Sequence, residues 1–258
     1  MASWLVTEAP SRFEELAVPE AVKQTLLSTS TSVDPPHLLI TGPAGVGKTA
    51  CWRLFARQIL GPGWKSTTHI LQARDLARQR GAMATFEEFL RPSGSEKDTL
   101  AGRTSLDAFD RGISISDSEE VAPAGSEGEV KIGTIPISRL IVIEDADYLG
   151  HIRQAYLRRM METVGAASRF VLIARAPSRI IDALRSRSQM IRIPSTGREI
   201  ITTTLSEIAE RNGCEPADGV LADIAYISDG NLKKAIFTLE MLDIRDLVSD
   251  RSSVHKMV

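Results

Sequence analysis

The sequence predicts an α/β fold: a doubly wound parallel sheet with helices on both faces, followed by a small helical unit. Three observations predict it. A glycine-rich stretch, Gly42 to Thr49, lies between a short apolar run and a helical run, the context a phosphate-binding loop requires. Apolar runs of strand length, without polar alternation, alternate with helical stretches between about residues 37 and 194. After Gly197 only helical periodicity remains.

Residues 1–36 read as an entry segment with one helix over about 19–28. His37-Leu38-Leu39-Ile40 reads as a short buried strand, and the run from Thr49 to Arg57 as a helix start. That helix stops at Gly61-Pro62-Gly63, because glycine and proline cannot continue it. Thr68-His69-Ile70-Leu71 reads as a second strand, and Phe86 to Leu90 closes another helix. From about Pro92 to Gly133 glycine, serine, aspartate and glutamate dominate. This composition predicts a flexible, solvated insertion, and a regulatory or partner-binding role for it stays open. Arg139-Leu140-Ile141-Val142-Ile143 and Arg169 to Ala174 suit strands buried on both faces, with a helix over about 150–164 between them. Met190 to Ile193 is a last short strand before Pro194. Helical patterns follow over 197–212, 217–228 and 231–243. The expected division is a nucleotide-binding domain over 1–195 and a helical lid over 196–258.

The chain has 258 residues, 43% of them hydrophobic, enough to bury a real core. A net charge of −2 provides no global basic field, so any DNA contact must come from a local patch or from partner subunits. The two cysteines, Cys51 and Cys214, have no metal-ligand spacing and read as reduced thiols, Cys51 behind the loop. Glu8, Glu14 and Glu15 interrupt any N-terminal apolar run, and no stretch reaches membrane-spanning length. The cytoplasm is the expected compartment.

Gly42-Pro43-Ala44-Gly45-Val46-Gly47-Lys48-Thr49 fits G-x-x-x-x-G-K-[ST] at every fixed position. Glycines let the backbone turn N–H groups toward phosphate oxygens, and the helix dipole favours the anion. The expected ligand is ATP with Mg²⁺. The nucleotide contacts run from Gly42 through Ala50. Within that stretch Lys48 is expected to neutralise the outer phosphates and Thr49 to hold the metal. A Gly-rich turn that merely ends in Lys-Thr would not explain the flanking strand and helix.

A nucleotide-hydrolysing site also needs a carboxylate at a neighbouring strand end to orient the metal, and a second to polarise water. Glu144 and Asp145 supply both, in the reverse of the usual Asp-Glu order. Glu144, the expected metal ligand, is one methylene longer than usual, and Asp145, the expected base, is one shorter. A misplacement near 1 Å costs on the order of 10²-fold in rate, so binding is the firmer expectation and hydrolysis the weaker.

These motifs and their spacing resemble the AAA+ family, specifically the small subunits of replication factor C, the sliding-clamp loader of archaea and eukaryotes. The resemblance rests on Trp4 to Val22, on Pro36 into the loop, and on Ile59 to Trp64. It continues through Ala155-Tyr156-Leu157-Arg158-Arg159-Met160-Met161-Glu162 and Ser168 to Ile181. Ser186-Arg187-Ser188 resembles the family's Ser-Arg-Cys, and Gly230-Asn231-Leu232-Lys233-Lys234-Ala235 a lid-helix motif.

The resemblance implies that Arg187 is an arginine finger reaching a neighbouring subunit's ATP. It implies that Arg175 stands where a sensor asparagine is expected, and Lys233 where a sensor arginine is expected. Arg158 and Arg159 would face DNA, a neighbour's nucleotide or solvent. Glu8-Ala9-Pro10 replaces a Tyr-Arg-Pro of the entry segment. The implied partners are other replication factor C subunits, a sliding clamp, and primer-template DNA through the assembly. The family's collar would follow the lid, and the sequence stops at Val258 before one. The alternative left open is a stand-alone or regulatory AAA+ protein that binds ATP, hydrolyses little and loads no clamp.

Overall fold

The computed structural model describes residues 3–91, 122–125, 137–163 and 167–256. Two helices, α1 (Trp4–Thr7) and α2 (Glu20–Ser30), precede β1 (His37–Thr41). Then come α3 (Lys48–Leu60), α4 (Trp64–Thr67), β2 (Thr68–Gln72), α5 (Ala73–Leu76) and α6 (Ala82–Leu90). They are followed by β3 (Arg139–Glu144), α7 (Gly150–Thr163), β4 (Ser168–Ala174), α8 (Asp182–Arg185) and β5 (Ser188–Arg192). The C-terminal end is helical: α9 (Arg198–Asn212), α10 (Val220–Ile227), α11 (Leu232–Ile244) and α12 (Arg251–Lys256).

The five strands form one sheet in the order β2-β3-β4-β1-β5, and every pairing is parallel. A parallel sheet must be covered on both faces, and the alternation within each strand shows how. Leu38, Ile40, Leu140, Val142, Val171 and Ile173 pack with α2 and α3 on one face. Leu39, Ile141, Ile143, Phe170 and Leu172 pack with α5, α6 and α7 on the other. All seven positions of β4 are buried, which is why that strand reads as an almost unbroken apolar run.

Arg169 is the polar exception within that run. It stays buried because Asp34 and the carbonyl of Pro35 receive its guanidinium. His37 lies beside it at the start of β1. Its Nδ1 accepts the Phe170 N–H at 3.2 Å, and its ring meets Phe170 edge-on at 5.3 Å. Burial, reinforced by the Arg169 charge, pushes the imidazole down to about 4.

A third cluster is separate from the sheet. It gathers Ile201, Leu205, Ile208, Val220, Ile224, Leu239 and Leu242, with Trp4 and Leu5 packed against it. The entry segment thus begins on the helical end. Glu240, buried on α11, accepts from Ser3 Oγ at 2.8 Å and from the Trp4 N–H at 3.0 Å. Glu8 accepts from Arg211 Nε at 2.7 Å and from Asn212 Nδ2 at 3.0 Å. The segment then crosses to the sheet, where Phe13, Leu16 and Val18 enter the core. Sequence patterning predicts a single helix in this segment; α1 is a second, one turn capped by Ser3.

The insertion expected over 92–133 lies outside the described residues except at 122–125. Of those four, Ala122 is exposed. Pro123 is buried and its carbonyl accepts the Phe13 N–H at 3.1 Å. The Ala124 N–H donates to Gln58 Oε1 at 3.0 Å.

The depressed His37 value has a stability consequence. The unfolded chain takes up a proton near pH 6.5, whereas the folded chain resists until about 4. The His37 contribution to stability is therefore full above about pH 6.5, falls by on the order of 3 kcal/mol between there and pH 4, and changes no further below. Chemical denaturation across that range, compared with a His37→Asn variant, should show a shallower decline in the variant.

Candidate nucleotide site

Because the strands are parallel, their C-terminal ends share one edge of the sheet. Residues 42–47 leave β1 at that edge and lead into α3. The Gly42 N–H donates to the Ala174 carbonyl at 3.3 Å, which ties the loop to the end of β4. On its other side the N–H of Ile193, just past β5, donates to the Thr41 carbonyl at 2.8 Å. A Cβ at Gly42 would stand 2.2 Å from the Ile193 carbonyl oxygen, so only glycine fits between the two strands there. Helix α3 starts at Lys48, and no side chain caps its first turn. Its leading N–H groups are thus donors for an anion.

Lys48 folds back onto the loop, donating to the carbonyls of Gly42 (2.9 Å) and Pro43. Burial, with the nearby Arg175 charge, pushes its ammonium below the usual lysine range. Asp145, Asp147 and Glu144 pull the other way. An ammonium held only by carbonyls is a ready partner for phosphate oxygens. The Thr41 hydroxyl, buried at the base of the loop, has no hydrogen-bond partner. A glycine cradle, an uncapped helix start and an available lysine fit a nucleotide's phosphates. Cys51, one turn into α3, is fully buried and its thiol is pushed up to about 12, so it remains an inert packing group.

The two acids occupy different environments. Glu144 ends β3, and its carboxylate accepts from Gln72 Nε2 at 2.6 Å and from Trp52 Nε1 at 3.3 Å. Asp145 has left-handed backbone, φ 51°, which turns it out of the strand line. Its Oδ1 lies 4.0 Å from Arg175 Nε. Lys48, Glu144, Asp145 and Arg175 are therefore brought together.

The helical end reaches the same place. The Lys233 N–H donates to the Gly45 carbonyl at 3.0 Å. Asn231 caps α11 by accepting the Lys234 N–H at 2.9 Å, and its amide sits against Gly45. A Cβ at Gly45 would stand 1.8 Å from Asn231 Oδ1. The contact of Asn231 with Gly45 carries no sequence signal. Trp52 and Gln72, as partners of Glu144, carry no sequence signal of that role either.

Arg187 is not brought to this edge. It precedes β5, and Ser188 pairs with His37 at the start of β1. Four further residue pairs lead up to Thr41 and Arg192. That is ~13 Å along the strands, beyond the reach of an arginine side chain. Arg187 instead pairs with Glu162 on α7 at 2.5 Å and donates to the Ala183 carbonyl at 2.9 Å. Arg158 lies 3.8 Å from the same Glu162 oxygen, and Arg159 stacks over Tyr156. Among the described residues, no helix is long and apolar enough to cross a membrane.

No family model matches the chain. Curated relatives do. Replication factor C small subunit 1 of Pyrobaculum islandicum is 28% identical over 251 residues, covering 97% of this chain and 65% of the relative. Replication factor C subunit 5 of Schizosaccharomyces pombe is 32% identical over 246 residues, covering 92% and 64%. The small subunit of Methanoculleus marisnigri is 28% identical over 237 residues, covering 92% and 62%. The chain thus spans just under two thirds of the length of these relatives. Among solved structures, the Thermotoga maritima RuvB Holliday junction branch migration motor superposes with a TM-score of 0.62 at 16% identity, covering 96% of this chain and 71% of that one. A point variant of T. maritima RuvB gives 0.65 at 14% identity over the same shares.

Gly45 is the position where loop and helical end cannot move independently. Gly45→Ala adds a methyl against Asn231 and strains a backbone at φ 74°. It should destabilise the chain by roughly 1–3 kcal/mol, read as a lowered Tm and as faster amide exchange at Lys233.

Proposed function

We propose that this chain, which is similar to replication factor C small subunits over nearly its whole length, is an ATP-binding subunit of a clamp loader of that kind. In this reading it works with other replication factor C subunits, a sliding clamp and primer-template DNA. The observation that carries the proposal is the phosphate loop wedged between β4 and β5 under the start of α11. The length and breadth of the similarity to clamp-loader small subunits support it.

In this reading the loop from Gly42 to Thr49, through its N–H groups from Ala44 onward and with Ala50 behind them, holds the phosphates. Lys48 exchanges its carbonyl partners for phosphate oxygens. Lys233 adds a charge from the helical side, its backbone already anchored on Gly45. Thr49 is the residue that would meet a Mg²⁺ arriving with the nucleotide, while Glu144, the other expected ligand, is already held by Trp52 and Gln72. Asp145 would take the proton of an attacking water once Arg175 is drawn off it. Residues 1–195 form the nucleotide-binding domain and 196–258 the lid.

Arg187, held far from its own loop, is assigned to a neighbour's nucleotide. A permanently charged planar guanidinium suits a phosphate across an interface. To act there it must leave Glu162, so the pair stores the finger in a fixed place until a neighbour docks.

Lys48→Ala should lower ATP affinity by at least about tenfold, measured by fluorescent-nucleotide titration. Arg187→Ala should leave the chain's own ATP binding unchanged. In a complex reconstituted with its partner subunits, it should lower turnover at the adjoining site by about a thousandfold. Unchanged turnover in that complex would contradict the role in trans.

A further inference from the structure

We infer that this chain binds ATP with little dependence on Mg²⁺, because the Arg175 guanidinium supplies beside the phosphate loop the positive charge that the ion otherwise brings. The inference rests on the nucleotide-site reading above and concerns what holds the nucleotide there.

The first support is the position of Arg175. It follows Ala174 directly, and the Ala174 carbonyl is the acceptor for the first loop glycine. The side chain therefore starts one residue from the loop. It is half exposed, and its Nε lies 4.0 Å from the Asp145 carboxylate. Charge-assisted hydrogen bonds run to about 2.7–2.9 Å, so the guanidinium is near Asp145 without being locked onto it. Lys48 senses the Arg175 charge, which puts two fixed cations in one field. A planar guanidinium can donate to two phosphate oxygens at once, and it does not lose its charge.

The second support is the engagement of Glu144. Both carboxylate oxygens already receive neutral donors, Trp52 Nε1 and Gln72 Nε2. Trp52 lies on α3, three residues beyond Thr49, so the carboxylate is bound to the helix through an indole N–H. Mg²⁺ demands near-octahedral geometry at short distances. Turning Glu144 toward an ion beside Thr49 would leave the indole N–H of a fully buried tryptophan unpaired, which is costly. Nor is there a substitute cage: among the described residues, no group of three or more His, Cys, Asp or Glu side chains could hold a metal ion. An ion arriving with ATP would rest mainly on phosphate oxygens, where its charge is redundant beside Arg175 and compensates only once that arginine is removed.

The test is fluorescent-ATP titration of the full chain in excess Mg²⁺ and in excess EDTA. The two affinities should agree within about threefold. Arg175→Asn should lose about tenfold in EDTA and recover most of that loss in Mg²⁺. Arg175→Lys, which keeps the charge, should remain insensitive to the ion. A parent chain that loses more than about tenfold in EDTA would overturn the inference, and the parent result does not depend on how any variant folds. An Arg175→Asn chain with the parent's ratio would overturn it as well. Absence of ATP binding in both buffers contradicts the nucleotide site itself, a separate failure from dependence on the ion.

Discussion

The parallel register of β1 with β4 and β5 is the constraint on which the other features depend. Pairing Leu38 with Val171 and His37 with Ser188 puts every strand's C-terminal end on one edge. The phosphate loop, the Glu144–Asp145 pair and Arg175 follow strand ends, so they converge. Arg187 precedes a strand, so the same register carries it to the opposite edge. Motif resemblance gives these two arginines different roles, but composition and periodicity do not. The sheet does so by direction alone, leaving one cation for the chain's own site and one beyond its reach.

At the converging edge, the balance of charge is unusual. Lys48 and Arg175 face Asp145, while Glu144 is satisfied by an indole and an amide. The reversed order of the acids thus has a structural counterpart. The longer side chain reaches back along α3 to Trp52, and the shorter one turns out through a left-handed residue toward Arg175. The helical end is fastened from two directions. Asn231 and Lys233 meet the loop at Gly45, and Ser3, Trp4 and Glu8 reach α9 and α11 from the N-terminal side. A nucleotide entering between loop and α11 must therefore work against contacts that already exist.

Much of this was legible in the sequence. Continuous apolar runs such as Leu140 to Ile143 and Phe170 to Ala174 identify strands covered on both faces, since their burial needs no alternation. The loop pattern fixed its own strand and helix. What stayed hidden is pairing between distant residues. Glu240 looks like an ordinary helical glutamate until Ser3 and Trp4 fold onto it. Trp52 looks like core, which it is, yet its N–H also settles where Glu144 points. The four residues 122–125, set within a polar stretch, are held by Phe13 and Gln58 from far along the chain. Periodicity carries no information about such contacts, because it describes each element only against itself.

The proposed function is that of an ATP-binding member of a clamp-loader assembly, presenting Arg187 outward to a neighbour. It is tested most directly by purifying the tagged full chain from its own cells in the presence of ATP and identifying what accompanies it. Other replication factor C subunits or a sliding clamp should accompany it in stoichiometric amounts. A chain that emerges alone, or only with proteins unrelated to either, would contradict the clamp-loader assignment while leaving the phosphate loop to be explained by another role.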